Sequence, residues 1–167
     1  MSVQAQERTM KAIVYRRYGS HDILALTDVA KPVVKDGDVL VRVRAASVNP
    51  LDWHLLRGLP YIARQSAGWR KPKRNIPGVD AAGVVEAVGR DVTGLQPGDE
   101  VFGEKTRACA EYVCGPEKLF VPRPANLTME QAAAVPVGGP CPCPWSCPAP
   151  MGSRPSGRTT IATARPG

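Results

Sequence analysis

Five cysteines, two histidines and one cluster of bases are the side chains of this 167-residue chain that first suggest chemistry. Cys141, Cys143 and Cys147 stand in a C-x-C-x-x-x-C run. A closed zinc site takes four N or S ligands, so the run would need Cys109 or Cys114 to complete it. Each of the three has a proline on at least one side, and proline resists wrapping the backbone around a metal. Cys109 and Cys114 read more simply as small strand residues. The bases Arg64, Arg70, Lys71, Lys73 and Arg74, interleaved with Tyr61 and Trp69, have the makings of a phosphate-binding, base-stacking surface. Pro60, Gly68, Pro72 and Pro77 punctuate the same stretch like a solvated loop, and nucleic acid is the weaker reading of it. No G-x-G-x-x-G and no G-x-x-x-x-G-K-[ST] occurs, so no turn of the kind that cradles a pyrophosphate is visible.

The net charge is +7, and all 15 acids fall between Glu7 and Glu130. With 43% hydrophobic and 22% charged residues the composition is that of a globular chain. Aromatics are only 5%, so the core must rest on Val, Leu, Ile and Ala. No apolar run approaches the ~20 residues of a membrane helix, and Met1 to Met10 contain no apolar signal core. The expectation is a cytoplasmic protein without a membrane partner, in which disulfides are disfavoured. Composition shifts sharply near Val135: nine prolines precede it, and eight follow in the last 32 residues. Such a segment buries too little apolar surface to offset the entropy of ordering it.

Before that shift the elements are legible. Lys11 to Tyr15 and Leu24 to Val29 read as strands, with a turn at Gly19-Ser20. Val39 to Ala45 alternates, with Val39, Val41, Val43 and Ala45 on one face and Arg42 and Arg44 on the other. Pro50 to Arg57 reads as two helical turns, with Asn49 as N-cap, Pro50 in the first position and Gly58 as the stop. Val79 to Val88 is a long strand in which Gly83 marks a bulge or a close backbone approach. Gln96-Pro97-Gly98-Asp99 fits a type II turn. Short strands follow at Val101 to Gly103 and Ala108 to Cys114, then a helix over Met129 to Val135 whose Thr128 and Gln131 are spaced as a capping box. Short strands separated by Gly/Pro turns point to a β-barrel or sandwich.

Several of these stretches together resemble a known family. Met10-Lys11-Ala12-Ile13, Ala45 through Trp53, Ile76 through Gly89, Pro97 through Gly103, Ala110-Glu111-Tyr112-Val113, and Asn126 through Pro136 are similar, in order and spacing, to medium-chain dehydrogenase/reductases. The nearest branch is the zinc-independent, quinone-oxidoreductase-like one. The resemblance implies a mainly β fold with short helices, a GroES-like partly open β-barrel. The expected organisation is a flexible extension over 1–9, an alcohol dehydrogenase N-terminal catalytic domain over 10–137, and a disordered Pro/Gly/Cys-rich tail over 138–167 where the family continues into a Rossmann domain.

The resemblance also implies a site. Zinc-dependent relatives place a catalytic Cys where this chain has Asn49 and a His where it has Val79, and their structural-zinc cysteines lie where this chain has Glu104 to Cys109. No zinc is therefore expected. By the same resemblance Asn49 lies at the cleft floor near the nicotinamide. His54 takes the place of a proton-relay histidine, a residue type whose unperturbed titration near 6.5 suits that task. The hydroxyl residue of that relay is replaced by Leu51. Asp52 and Asp80 occupy acidic positions of the family, and complete the candidate catalytic set. Asp52 reads equally as a helix-start carboxylate, and Asp80 as the partner of a nearby base.

The implied cofactor is NADP(H), expected not to bind to this chain alone. A βαβ unit takes about 30 residues, and the 30 from Gly138 onward cannot hold a dinucleotide domain. The abrupt change at Val137 suggests an out-of-frame reading of GC-rich DNA. Three functions stand. The first is the catalytic domain of a zinc-independent quinone or enone reductase, cut before its Rossmann domain and inactive alone. It would act on a small quinone, enone or carbonyl substrate, in a family whose members are often homo-oligomers. The second is an enzyme completed by another chain. The third is a non-enzymatic binding module using the basic loop 64–74.

Overall fold

A computed structural model describes residues 9–60, 68–69, 71–73 and 75–137. The 138–167 tail, most of the 1–9 extension, and Tyr61, Arg64, Arg70 and Arg74 of the basic loop lie outside the described residues. Among the described residues, seven strands and two short α-helices run in the order β1 (Thr9–Val14), β2 (Ala25–Ala30), β3 (Asp38–Ser47), α1 (Pro50–Arg57), β4 (Asp80–Val88), β5 (Glu100–Glu104), β6 (Tyr112–Pro116), β7 (Phe120–Pro122) and α2 (Met129–Ala133). β1 and β2 form an antiparallel ribbon; the other five form an antiparallel sheet in the order β6-β3-β4-β5-β7. An Ala12↔Ala110 bridge and an Ile13 N–H to Cys109 C=O bond of 3.0 Å join ribbon and sheet. The two sheets do not close, so the fold is the expected mainly β, partly open arrangement. No helix among the described residues is long and apolar enough to cross a membrane.

The core is built from small aliphatics, as the lack of aromatics requires. Val39, Val41, Val85, Val101, Val113 and Phe120 pack as one cluster inside the larger sheet. Burying each valine is worth roughly 1.5–3 kcal/mol. The alternation read along β3 holds from Val41 onward, with Val41 buried, Val43 and Ala45 half-buried and Arg42 and Arg44 exposed, while Leu40, before the first register shift, is buried together with Val39. Register shifts interrupt the β3–β4 ladder at Leu40/Val41 and Val43/Ala45. Gly83 sits opposite the second, where an added Cβ would lie 2.1 Å from the Arg42 carbonyl oxygen. Only glycine permits that approach.

Turns and caps follow the sequence closely. Gly98 has φ +98° and Asp99 N–H bonds to the Gln96 carbonyl at 3.1 Å, which is the type II turn. α1 has the expected bounds, with Gly58 in the left-handed conformation at its end. α2 has the Thr128–Gln131 capping box, but stops at Ala133 rather than Val135. There the Ala134 and Val135 N–H groups bond three residues back, to Gln131 and Ala132, and tighten the last turn.

Two expectations are corrected. The strand expected over Ala108 to Cys114 begins only at Tyr112. Arg107 has φ +80°, and the N–H groups of Arg107 and Ala108 bond to the Gly78 carbonyl and that of Cys109 to Pro77, leaving this stretch outside the ladder. β7 was not foreseen, because three residues ending in Pro122 carry no periodicity. It pairs the sheet edge at Phe120↔Gly103, where proline is tolerated.

Candidate functional site

The site forms where β3 ends, α1 begins and β4 begins. Antiparallel pairing sets Ser47, last in β3, opposite Asp80, first in β4. The Ser47 hydroxyl donates to Asp80 Oδ2 at 3.1 Å, and the Asn49 Nδ2 amide donates to the same oxygen at 2.9 Å. Asn49 is also the N-cap of α1: its Oδ1 accepts from Leu51 N–H at 2.9 Å and Asp52 N–H at 3.4 Å. The Asp52 carboxylate closes the box, Oδ2 accepting from Asn49 N–H at 3.0 Å. Its Oδ1 accepts from Gly78 N–H at 2.9 Å, which ties α1 to the segment entering β4. The Asn49 side-chain amide is thus held at its nitrogen by the Asp80 carboxylate and at its oxygen by the first N–H groups of α1, while the Asp52 carboxylate holds the Asn49 backbone N–H.

Both carboxylates are buried, Asp52 at 6% and Asp80 at 1% exposure. Burial raises the pKa of Asp52, against the N–H groups of Asn49 and Gly78, which lower it. Burial raises Asp80 too, helped by the charge of Asp52 and opposed by Ser47, Asn49 and the Val137 N–H. Asp80 Oδ1 has no hydrogen-bond partner, an uncommon state for a buried acceptor. Its partners are a hydroxyl and an amide, so the alternative of a nearby base is not what the fold provides. Asp52 does serve as the helix-start carboxylate.

Cys109 lies beside this network, and burial, with the nearby Asp52 charge second, pushes its thiol up to about 11. It is not a thiolate nucleophile at neutral pH. His54 is elsewhere: two residues beyond Asp52 it is turned about 200° around the helix and exposed, with its ring edge-on to Trp53 at 4.9 Å. No hydrogen bond joins it to Asn49, Asp52 or Asp80 among the described residues. Arg57 lies over the other residue of that pair, 4.5 Å from the Trp53 ring. Val48, Leu51 and Trp53, neighbours of Asn49 in the chain, are exposed apolar side chains. Ser47 and the Gly78 N–H are members that sequence reasoning missed. Strand pairing, which reveals them, is a tertiary property.

Among the described residues no three His, Cys, Asp or Glu side chains are grouped to hold a metal. Of the basic loop, Trp69, Lys71 and Lys73 are described and exposed. No described segment forms the strand, Gly-rich turn and helix of a dinucleotide cradle.

The family model for the alcohol dehydrogenase GroES-like domain matches residues 35–138, spanning β3 to the end of the described sheet and the whole polar network. The chain belongs to this family. Relatives of the GroES-like domain here include the 2-methylene-furan-3-one reductase of Solanum lycopersicum, 40% identical over 139 residues, covering 77% of this chain and 34% of the relative. A second is the chloroplastic NADPH-dependent alkenal/one oxidoreductase of Arabidopsis thaliana, 36% identical over 141 residues, covering 78% and 35%. Among solved structures, the quinone oxidoreductase of Coxiella burnetii superposes with a TM-score of 0.67 at 32% identity, covering 77% of this chain and 41% of that one. The resemblance to medium-chain dehydrogenase/reductases read from the sequence is thereby established. The chain spans about a third of the length of these curated relatives.

Proposed function

We propose that this chain is the substrate-side domain of a zinc-independent, NADP(H)-dependent reductase of quinones or enones. The observation that carries the reading is the Asn49 amide, held between the buried Asp80 carboxylate and the N-terminus of α1. In the zinc-dependent branch a metal ligand occupies this position. An amide so engaged, beside Val79 rather than an imidazole, offers a neutral hydrogen-bonding floor in place of a Lewis acid. The names of the relatives, an enone-type reductase, an alkenal/one oxidoreductase and a quinone oxidoreductase, support the substrate class.

NADP(H), when bound, would supply a hydride; this domain's part is to hold the substrate, with Asn49 near the nicotinamide as the resemblance implies. Asn49 presents its second amide N–H to a carbonyl oxygen of quinone or enone, where developing negative charge is stabilised. Asp80 and Ser47 are positioning residues that fix the amide's orientation, and Asp52 fixes the helix that carries it. The exposed apolar side chains of Val48, Leu51 and Trp53 accept the flat body of the substrate. His54, exposed on α1, is the candidate for passing from water the one proton that accompanies the hydride.

The reading is tested with a chimera joining residues 9–137 to the nucleotide-binding domain of the Coxiella burnetii quinone oxidoreductase. The expected result is saturable NADPH oxidation with an ortho-quinone or a short enone, unchanged after dialysis against a chelator, and none from the unfused chain. A folded, NADPH-binding chimera that reduces neither substrate contradicts the proposal. So does turnover that chelation abolishes and zinc restores.

A further inference from the structure

We propose that the groove between the β1–β2 ribbon and residues 71–73 and 75 binds a phosphomonoester carrying a flat apolar body. The groove is an open concavity of about 490 Å³, of the order of the ~300–1,000 Å³ usual for small-molecule sites. None of Ser47, Asn49, Asp52 or Asp80 lines it, so it stands apart from the site described above and does not depend on that reading. Its cations are Arg16, Lys71 and Lys73, all exposed. None has an acidic partner among the described residues. The single carboxylate on the wall, Asp28, is taken by Lys11 across the ribbon at 3.1 Å. Three like charges therefore share one concavity with no counter-charge of their own.

The walls are held in place by packing. Tyr15 N–H donates to the Asn75 carbonyl at 2.8 Å, which ties the end of β1 to the opposite wall. Ile76, next in the chain, is 2% exposed and packs with Ala12 and Val14. Arg16, next in the chain to Tyr15, thus projects from backbone anchored on a packed cluster. Val14, Val29 and Pro72 add an apolar lining to the basic one. A phosphomonoester carries close to two negative charges and three acceptor oxygens at neutral pH. It matches a guanidinium fork and two ammonium groups better than a monoanion does. The apolar lining selects for a ligand with a ring or chain attached over free phosphate.

Calorimetric titration of the full chain at low salt with phenyl phosphate, inorganic phosphate, benzoate and a short single-stranded oligonucleotide tests this. The expected result is one saturable phenyl phosphate site, weakened roughly tenfold or more by K71A/K73A and by R16A, and weakened by added salt. Inorganic phosphate and benzoate should each bind roughly tenfold less tightly. The three side chains are exposed, so the variants should unfold at the wild-type temperature; K71E, which reverses one charge, should abolish binding on the same fold. The proposal is overturned by absence of saturation, by variants that bind like wild type, or by benzoate matching phenyl phosphate. It is overturned equally by an oligonucleotide that binds far more tightly than phenyl phosphate and shows the same dependence on these bases, which would make the surface a nucleic-acid one.

Discussion

Asp80 is the residue whose replacement separates its hydrogen-bonding role from its charge. Its Oδ2 accepts from Ser47 and Asn49, while Oδ1 has no partner. Asp80→Ala strands the Ser47 hydroxyl and the Asn49 amide N–H in a buried place, at about 1–3 kcal/mol each. Some relief by rotation of the hydroxyl brings the expected cost to about 2–4 kcal/mol. Asp80→Asn keeps a carbonyl oxygen for both donors and removes the buried charge. Its NH2 takes the place of Oδ1, which accepts no hydrogen bond, so only the influence of the Val137 N–H that favours the charged carboxylate is given up. The net change should stay within about 1 kcal/mol. The pH dependence carries a second signature. Because the folded pKa of Asp80 lies above its ordinary value of 3.8, the folded chain holds more protons than the unfolded one in the window above that value. The group's contribution to stability is full below it and is lost as pH rises through the folded pKa. Asp80→Asn removes this component and leaves that of Asp52, whose pKa is raised as well. Urea unfolding at a series of pH values from about 4 to 8 measures both effects. An Asp80→Asn variant as damaged as Asp80→Ala, or one with the wild-type pH slope, would refute the reasoning.

Further expectations follow from particular contacts. Gly83→Ala places a Cβ 2.1 Å from the Arg42 carbonyl and should cost more than about 3 kcal/mol by disrupting the β3–β4 ladder; a variant with wild-type urea stability contradicts the packing described. Thr128→Ala removes the α2 cap and should cost about 1 kcal/mol, read from the same unfolding curves. The Cys109 thiol, pushed up to about 11, should be alkylated at neutral pH far more slowly in the folded chain than after unfolding. Peptide mapping by mass spectrometry checks this, and equal labelling in both states would count against the burial assigned to it.

The parts legible in the sequence were those written in local rules. The helix over Pro50–Arg57 follows from Asn49, Pro50 and Gly58 alone, because caps and breakers act within one turn. The turn at Gly98 and the capping box at Thr128 belong to the same kind. Asn49, Asp52 and Asp80 were reached through family resemblance, and the fold draws these three together. Their bonds to Ser47 and Gly78 were hidden because they depend on which residues β3 and β4 set opposite one another across 33 positions of chain. β7 was missed because a pairing of three residues is specified by the sheet edge it joins, not by its own pattern. His54 shows the limit in the other direction. The family resemblance marked it, but 3.6 residues per turn carries it to the exposed side of α1, away from the carboxylates.

The central claim is that the Asn49 amide, oriented by Asp80, contacts the substrate where charge develops. Steady-state kinetics of the quinone-reducing chimera with Asn49→Ala tests it most directly. The account predicts a kcat lowered roughly tenfold or more, with the KM for NADPH little changed and wild-type zinc-free metal content. A folded Asn49→Ala chimera that turns over at the parent rate would contradict it.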